Sequence, residues 1–286
     1  PSIMLEVPSR RQWLAMALPA TFTLDIPHLR EKTARIGLLA RSLAIFRVEE
    51  AVIYQDQDSR QAHEEARLFE KILKFQETPQ YLRKHLFKMD PDLEFAGVLP
   101  PLRSPHHPDR EEPRRGQLRE GVAVSSGPSS KVDAGFKDAV AVESRLERSK
   151  RVTIRITRVS PSLEGELVDR SGLHIYWGFM VSRETRTLGE LVKRGDRDLI
   201  ISTSRKGTDI RQVIAKLRDR WKTASRPMLL FGSPREGVPE ILARSNDRAS
   251  ELEFSINTIP DQGVETVRTE EALLGTLAVL NLLEEA

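Results

Sequence analysis

Apolar residues in this chain fall into short continuous runs, and the polar segments between them carry apolar positions at helical spacing. Residues 12–25 read as a strand, interrupted by Pro19 and ending at Asp25. A helix is expected from Pro27 or His28, with Leu29, Ile36, Leu39, Ala40 and Leu43 along one side. Residues 48–54 read as the next strand, and a polar helix follows over about 59–76. Thr78-Pro79 then opens another helix, to about Lys88. Strand–helix alternation of this kind predicts an α/β layer with a parallel sheet.

The texture changes near Pro91. Residues 99–116 hold five prolines and the pair His106-His107, and read as loop. Short strand-like runs come next: Gly121–Val124, Asp138–Val142, Arg151–Ile156 and Gly165–Val168. Turns at Gly127-Pro128-Ser129-Ser130 and Ser160-Pro161 separate them, which predicts a small β-barrel, with the five-stranded OB-like barrel as the natural candidate. Arg151, Thr153, Arg155 and Thr157 alternate with Val152, Ile154 and Ile156, giving one basic and one buried face. Phe136 is the clear stacking candidate here, so Arg and Lys would carry most of any grip on RNA.

After about Ser171 the α/β pattern resumes. Ile175–Val181 and Asp198–Thr203 read as strands, and a helix is expected over residues 209–221. Thr203-Ser204-Arg205-Lys206-Gly207 reads as a strand-to-helix loop able to hold an anion. Met228–Phe231 is an apolar strand running into a loop bounded by Gly232 and Gly237. Leu252–Ile256 is a further short strand, and its loop contains Pro260 and Gly263, suited to a tight turn or to bare backbone against a ligand. Thr269 is the expected N-cap of the last helix, with acids in its first turn. Ala272, Leu273, Leu274, Leu277, Ala278 and Leu280 cover more than one side of that helix, so a subunit interface would bury the surplus.

Composition narrows the classes. The 286 residues suffice for one large or two smaller domains. Cysteine is absent, which excludes disulfides and thiolate metal sites and fits a reducing, cytoplasmic setting. Residues 205–226 carry eight Lys/Arg against two acids, whereas residues 251–286 carry one Arg against eight acids. A basic face of this kind points to a polyanion, with a solvated helix face as the alternative. No run approaches the roughly 18–20 apolar residues of a membrane span, and Arg10-Arg11 precedes no convincing cleavage site. The sequence contains neither GxGxxG nor Gly-Lys-Ser/Thr, and His106-His107 lacks a third metal ligand, so no metal is expected.

Two stretches, Phe231-Gly232-Ser233-Pro234-Arg235-Glu236-Gly237 and Asn257-Thr258-Ile259-Pro260-Asp261-Gln262-Gly263-Val264-Glu265-Thr266-Val267-Arg268-Thr269-Glu270-Glu271-Ala272, resemble the two cofactor loops of the SPOUT RNA methyltransferases. Gly37, Arg41 and Phe46 match that group's first motif, while Arg35 stands where the ribose-methylating members have Asn. The barrel matches the SPOUT branch in which an OB-like domain interrupts the methyltransferase domain, a branch with archaeal members and a human centromere-associated one. The resemblance implies a knotted parallel-sheet α/β domain formed by residues 1–90 and 172–286, with an OB-like RNA-binding insert at 91–171. It implies S-adenosylmethionine as cofactor, held by Thr203, Phe231, Gly232, Ser233, Gly237, Ile256, Asn257, Ile259, Pro260, Gly263, Val267, Thr269 and Ala272. Arg41, carried over from the partner of a homodimer, would orient a phosphate or stabilise the reacting group. Arg268 would touch the target or pair with neighbouring acids, and Glu271 would face the methionine ammonium or favour the helix N-terminus. Arg151, Arg155, Arg205 and Lys206 are the candidate RNA contacts. The expected activity is methylation of RNA, ribosomal RNA foremost, at a base rather than a ribose; the alternative is a non-catalytic RNA-binding or assembly factor keeping the fold.

Overall fold

The computed structural model describes residues 7–109, 111–244 and 252–284; Arg110 of the proline-rich run lies outside them. The chain forms two compact units, taken here over their described residues: one of Pro1–Ser9, Phe75–Pro91 and Leu102–Gly178, the other of Arg10–Lys74, Asp92–Pro101 and Phe179–Ala286.

The second unit is built on six parallel strands. These are β1 (Ala15–Pro19), β2 (Glu50–Tyr54), β8 (Met180–Glu184), β9 (Leu199–Asp209), β10 (Pro227–Leu230) and β11 (Phe254–Asn257), in the order β11-β9-β10-β1-β2-β8. Parallel neighbours need crossovers. Helix α1 (Leu29–Ile45) joins β1 to β2, α5 (Ile210–Thr223) joins β9 to β10, and α6 (Val238–Arg244) precedes β11. The central strand β1 is buried at every position, which is why its sequence reads as a continuous apolar run rather than an alternating one. Ala15, Ala17, Val52, Met228 and Leu230 pack with Leu188 and Leu191 of α4 (Leu188–Lys193) and with Ile241 and Leu242 of α6. The last helix, α7 (Thr269–Leu280), packs against α1. Among the described residues no helix is long and apolar enough to cross a membrane.

The first unit holds a closed five-stranded barrel in the order β3-β4-β5-β7-β6: β3 (Leu118–Ala123), β4 (Ser130–Asp133), β5 (Val140–Val142), β7 (Glu164–Leu167) and β6 (Arg151–Arg158). All its pairs are antiparallel except β5 with β7, and β3 pairs with β6 to close the ring, an OB-like arrangement. Val132, Val140, Val142, Ile154 and Ile156 fill the interior. Helix α2 (Arg60–Glu77) ends in this unit and α3 (Gln80–Leu86) follows, with Tyr81 Oη donating to the Glu120 carbonyl at 2.9 Å.

Several local expectations differ from the structure for identifiable reasons. The first strand stops at Pro19, because Ala20–Asp25 fold into turns and Thr21 N–H bonds Asp56 Oδ1 at 3.0 Å. The run Ile175–Val181 is strand only from Met180, since Gly178 sits at φ +80° and breaks the extended chain. β4 begins at Ser130, inside a stretch whose Gly-Pro-Ser-Ser reads as turn. Arg268, not Thr269, caps α7, because Glu271 Oε2 accepts the Arg268 N–H at 2.9 Å and starts the helix one residue earlier. Thr203–Gly207 is not a strand-to-helix loop: β9 continues through it to Asp209.

Candidate active site

The continuation of β9 creates the site's first wall. Its pairing with β11 jumps from Ser202↔Ser255 to Thr208↔Ile256, so Thr203–Gly207 bulge away from the ladder. A Cβ on Gly207 would stand 2.6 Å from the Ile256 carbonyl carbon, which explains a glycine where the bulge rejoins its neighbour. Thr203 Oγ1 donates to the Leu230 carbonyl at 2.9 Å and ties the bulge to β10.

The second wall is the loop after β10. Ser233 N–H donates to the Glu236 carbonyl at 2.8 Å, and Glu236 N–H returns to Ser233 Oγ at 3.1 Å. That tight turn leaves no room for a side chain at Gly232, whose Cβ would lie 2.7 Å from the Glu236 oxygen and 2.8 Å from Gly237 Cα. The buried Tyr54 hydroxyl donates to the Phe231 carbonyl at 2.7 Å; burial first, and then Asp56, pushes this phenol well above its ordinary pKa, so it remains a donor.

The loop after β11 completes the enclosure. Asn257 Oδ1 accepts from Ile259 N–H at 3.0 Å, while its Nδ2 donates to the Arg205 carbonyl at 3.1 Å. Gln262 Nε2 holds the carbonyls of Val264 and Glu265 at 2.8 and 3.1 Å. The left-handed residue of this loop is Asp261, at φ +59°, and not Gly263, which has open space around it.

Together these segments surround a cavity of about 690 Å³, within the range of small-molecule sites. It opens where the loops leave the carboxyl ends of β10 and β11, the usual binding edge of an open parallel sheet. Of the proposed cofactor residues, Thr203, Phe231, Gly232, Ser233, Gly237, Ile256, Asn257, Ile259, Val267, Thr269 and Ala272 line it, and Pro260 and Gly263 do not. Arg268, Arg205 and Lys206 also line it. Arg41 and Glu271 are not among the lining residues: Arg41 Nη1 donates to the Pro101 carbonyl at 3.0 Å, and Glu271 closes the first turn of α7.

The cavity is amphipathic. Phe22, Phe231, Ile256, Ile259 and Val267 supply apolar surface, and Arg35, Arg205, Lys206, Arg235 and Arg268 face Asp25, Glu236, Glu240, Glu265 and Glu270. Sequence reasoning missed Glu240 and Glu270 as site residues and treated Arg35 only as a departure from a motif. Glu240 meets Lys206 at 3.3 Å and its carboxyl is held below its ordinary value by the bond from its own backbone N–H first and then by Lys206.

In the barrel the two proposed RNA contacts differ. Arg155 is exposed on β6 and meets Glu166 at 3.0 Å. Arg151 is committed inward: its guanidinium meets Glu77 Oε2 and Glu120 Oε2, each at 2.6 Å. Phe136 packs against the barrel core, with the Arg119 guanidinium 4.7 Å over its ring. Among the described residues no group of three or more His, Cys, Asp or Glu is placed to hold a metal.

A family model described as "Putative RNA methyltransferase" matches residues 14–280. The chain is 32% identical to an uncharacterized protein of Halobacterium salinarum, over 94% of this chain and 99% of that one. It is 31% identical to the 28S rRNA (uridine-N(3))-methyltransferase of Homo sapiens, over 93% of this chain and 77% of the human protein. The Mus musculus enzyme of the same name is 31% identical, over 93% and 75% of the two chains.

Proposed function

The chain belongs to the RNA methyltransferase family matched over residues 14–280, in the SPOUT branch with an OB-like barrel, and from that premise we propose that it carries a methyl group from S-adenosylmethionine to N3 of a uridine in ribosomal RNA. The observation that supports this reading best is the convergence of the Gly232–Gly237 and Ile256–Ala272 loops on one small-molecule cavity. The cavity fits the proposed cofactor chemically. Backbone groups of the Ser233–Glu236 turn, with Phe231, Ile256 and Ile259, would hold an adenine and ribose, while Asp25, Glu236, Glu240 and Glu265 would balance the sulfonium and ammonium charges. The bound cofactor would supply an electrophilic methyl; the protein's part is to align the base with it and exclude water.

The uridine reading follows the relatives' names and agrees with Arg35 standing where ribose methylation would call for Asn. In keeping with SPOUT proteins, the chain would pass through itself around the cofactor loops and pair with a second copy, which would bring Arg41 to its neighbour's site. Residues 91–171 would form the RNA-gripping insert between the two parts of the methyltransferase domain, 1–90 and 172–286, with Arg155 on the contact face. The work would be done in the cytoplasm.

Calorimetric titration of the purified, cofactor-stripped protein with S-adenosylmethionine tests the site. Gly232→Ala must displace the Glu236 carbonyl and should weaken binding at least tenfold, about 1.4 kcal/mol. Gly263→Ala, in open space and at an ordinary φ, should leave affinity unchanged. No binding at millimolar cofactor, or equal behaviour of the two variants, would refute the assignment.

A further inference from the structure

One acid of the cavity stands apart from the others. Glu270, in the first turn of α7, lies 3.6 Å from Arg35 Nε on α1 through its Oε1, and its Oε2 is buried with no hydrogen-bond partner. Other cavity acids are paired or open to water: Glu240 meets Lys206, Glu236 meets Arg244, and Asp25 and Glu265 are exposed. A bare, buried carboxylate oxygen is unfavourable unless a donor reaches it. Glu270 and Arg35 both line the cavity, so a small shift of the Glu270 carboxylate would bring this oxygen to a ligand there, beside a guanidinium.

We propose that Glu270 and Arg35 read the imide edge of the target uracil, Glu270 Oε2 accepting the N3 proton as the methyl group is transferred. This rests on the uridine-N3 reading and assigns it a base and an electrophile. The edge of uracil presents an N–H flanked by two carbonyl oxygens. A carboxylate oxygen complements the N–H, and a guanidinium beside it complements one carbonyl. Cytosine presents a lone pair at N3, which would face the carboxylate oxygen, so the same pair selects against it.

Neutral uracil N3 is a poor nucleophile, because its lone pair is delocalised into both carbonyls. Glu270 Oε2 takes the proton while N3 keeps the bonding pair. N3 forms its new bond to the methyl carbon, and the carbon–sulfur bond breaks with its pair remaining on sulfur, which becomes a neutral thioether. Negative charge that develops on the uracil oxygens meets Arg35. Protonated Glu270 then releases its proton to solvent as product leaves.

The test compares wild type, Glu270→Gln and Arg35→Gln on ribosomal RNA from cells lacking the protein, with methyl-labelled S-adenosylmethionine. Glu270→Gln keeps the shape and should lower the rate constant roughly 10²–10⁴-fold, the usual weight of a general base. Its affinity for S-adenosylmethionine, read by calorimetry, should stay within about threefold of wild type. Its rate should climb tenfold per pH unit where the wild-type rate has levelled, and a transcript carrying the more acidic 5-fluorouridine should restore most of the loss. Arg35→Gln should slow the reaction without producing that pH profile. A Glu270→Gln enzyme within threefold of wild type overturns the proposal. So does one whose slow rate keeps the wild-type pH profile, or follows a matching loss of cofactor affinity. A wild type that labels no uracil overturns the uridine-N3 reading itself, whereas labelled uracil from an equally fast Glu270→Gln overturns the pair alone.

Discussion

Glu77 and His107 show how much a single pair of residues can decide. Glu77 ends α2 in the barrel unit, 4% exposed. Burial pushes its carboxyl up, but Arg151, His106 and Arg170 outweigh burial and hold it well below the usual carboxylate range. His107 Nε2 lies 2.6 Å from the Glu77 carbonyl; burial first, then His106, pushes its imidazole down to about 3. A histidine depressed in this way stays neutral in the folded chain, while the unfolded chain takes a proton below its ordinary value, about 6.5. The unfolded state therefore binds more protons between those two values. Stability should fall as pH drops through that window, by about 1.4 kcal/mol per pH unit. Glu77 adds loss of the same sign, beginning as pH falls below the ordinary carboxylate value of about 4.3. Urea unfolding followed by tryptophan fluorescence should show the midpoint falling from pH 7 to pH 5, and His107→Gln should flatten the decline above about pH 4.5. A wild-type midpoint constant from pH 7 to 5 would contradict this. None of it was visible in the sequence, where the two histidines read as loop: no periodicity brings a proline-rich segment onto the end of a helix far upstream.

At the scale of elements, the sequence was legible wherever burial imposed a period. The runs around Met16, Val52, Ile200, Leu229 and Phe254 became strands at nearly the expected places, most clearly in β1, β2 and β10, which are covered on both faces and so are apolar almost throughout. Alternation on β6 placed Ile154 and Ile156 inside and Arg155 outside. The failures came where backbone conformation or a tertiary bond decided, as at Gly178 and at the bulge of β9. The candidate cavity was partly legible, through its glycines and apolar loop residues. Glu270 was not, because a first-turn acid reads as a helix-terminus residue whatever it faces.

The last helix carries the element-scale expectation of a dimer. Leu273, Leu277 and Leu280 are buried within the chain itself, so the large apolar side chain that α7 leaves exposed is Leu274, at 45%. Its packing neighbour α1 leaves Leu38 57% and Ile45 53% exposed. A two-fold interface over these helices would cover all three. Wild type should sediment as a dimer at micromolar concentration, and Leu38→Glu with Leu274→Glu should sediment as a monomer. Because both side chains are exposed, each change should alter the stability of the single chain by no more than about 0.5 kcal/mol. A monomeric wild type would reject the interface.

At the scale of the whole molecule, the sheet takes β1 and β2 from before the barrel and β8 to β11 from after it. A chain organised this way announces itself by a change of texture, from long helical periods to short strands and turns and back, and the insert proposed between Pro91 and Ser171 rests on that change. On the proposed reading, the cavity at the edge of the parallel sheet would take the methyl donor and base, and the barrel would grip RNA. The most direct measurement is mass-spectrometric identification of the nucleoside labelled when the purified protein meets methyl-labelled S-adenosylmethionine and ribosomal RNA from cells lacking it. The expected result is label in 3-methyluridine. Label confined to a ribose-methylated nucleoside, or no transfer by a protein that binds both RNA and cofactor, would contradict the assigned function.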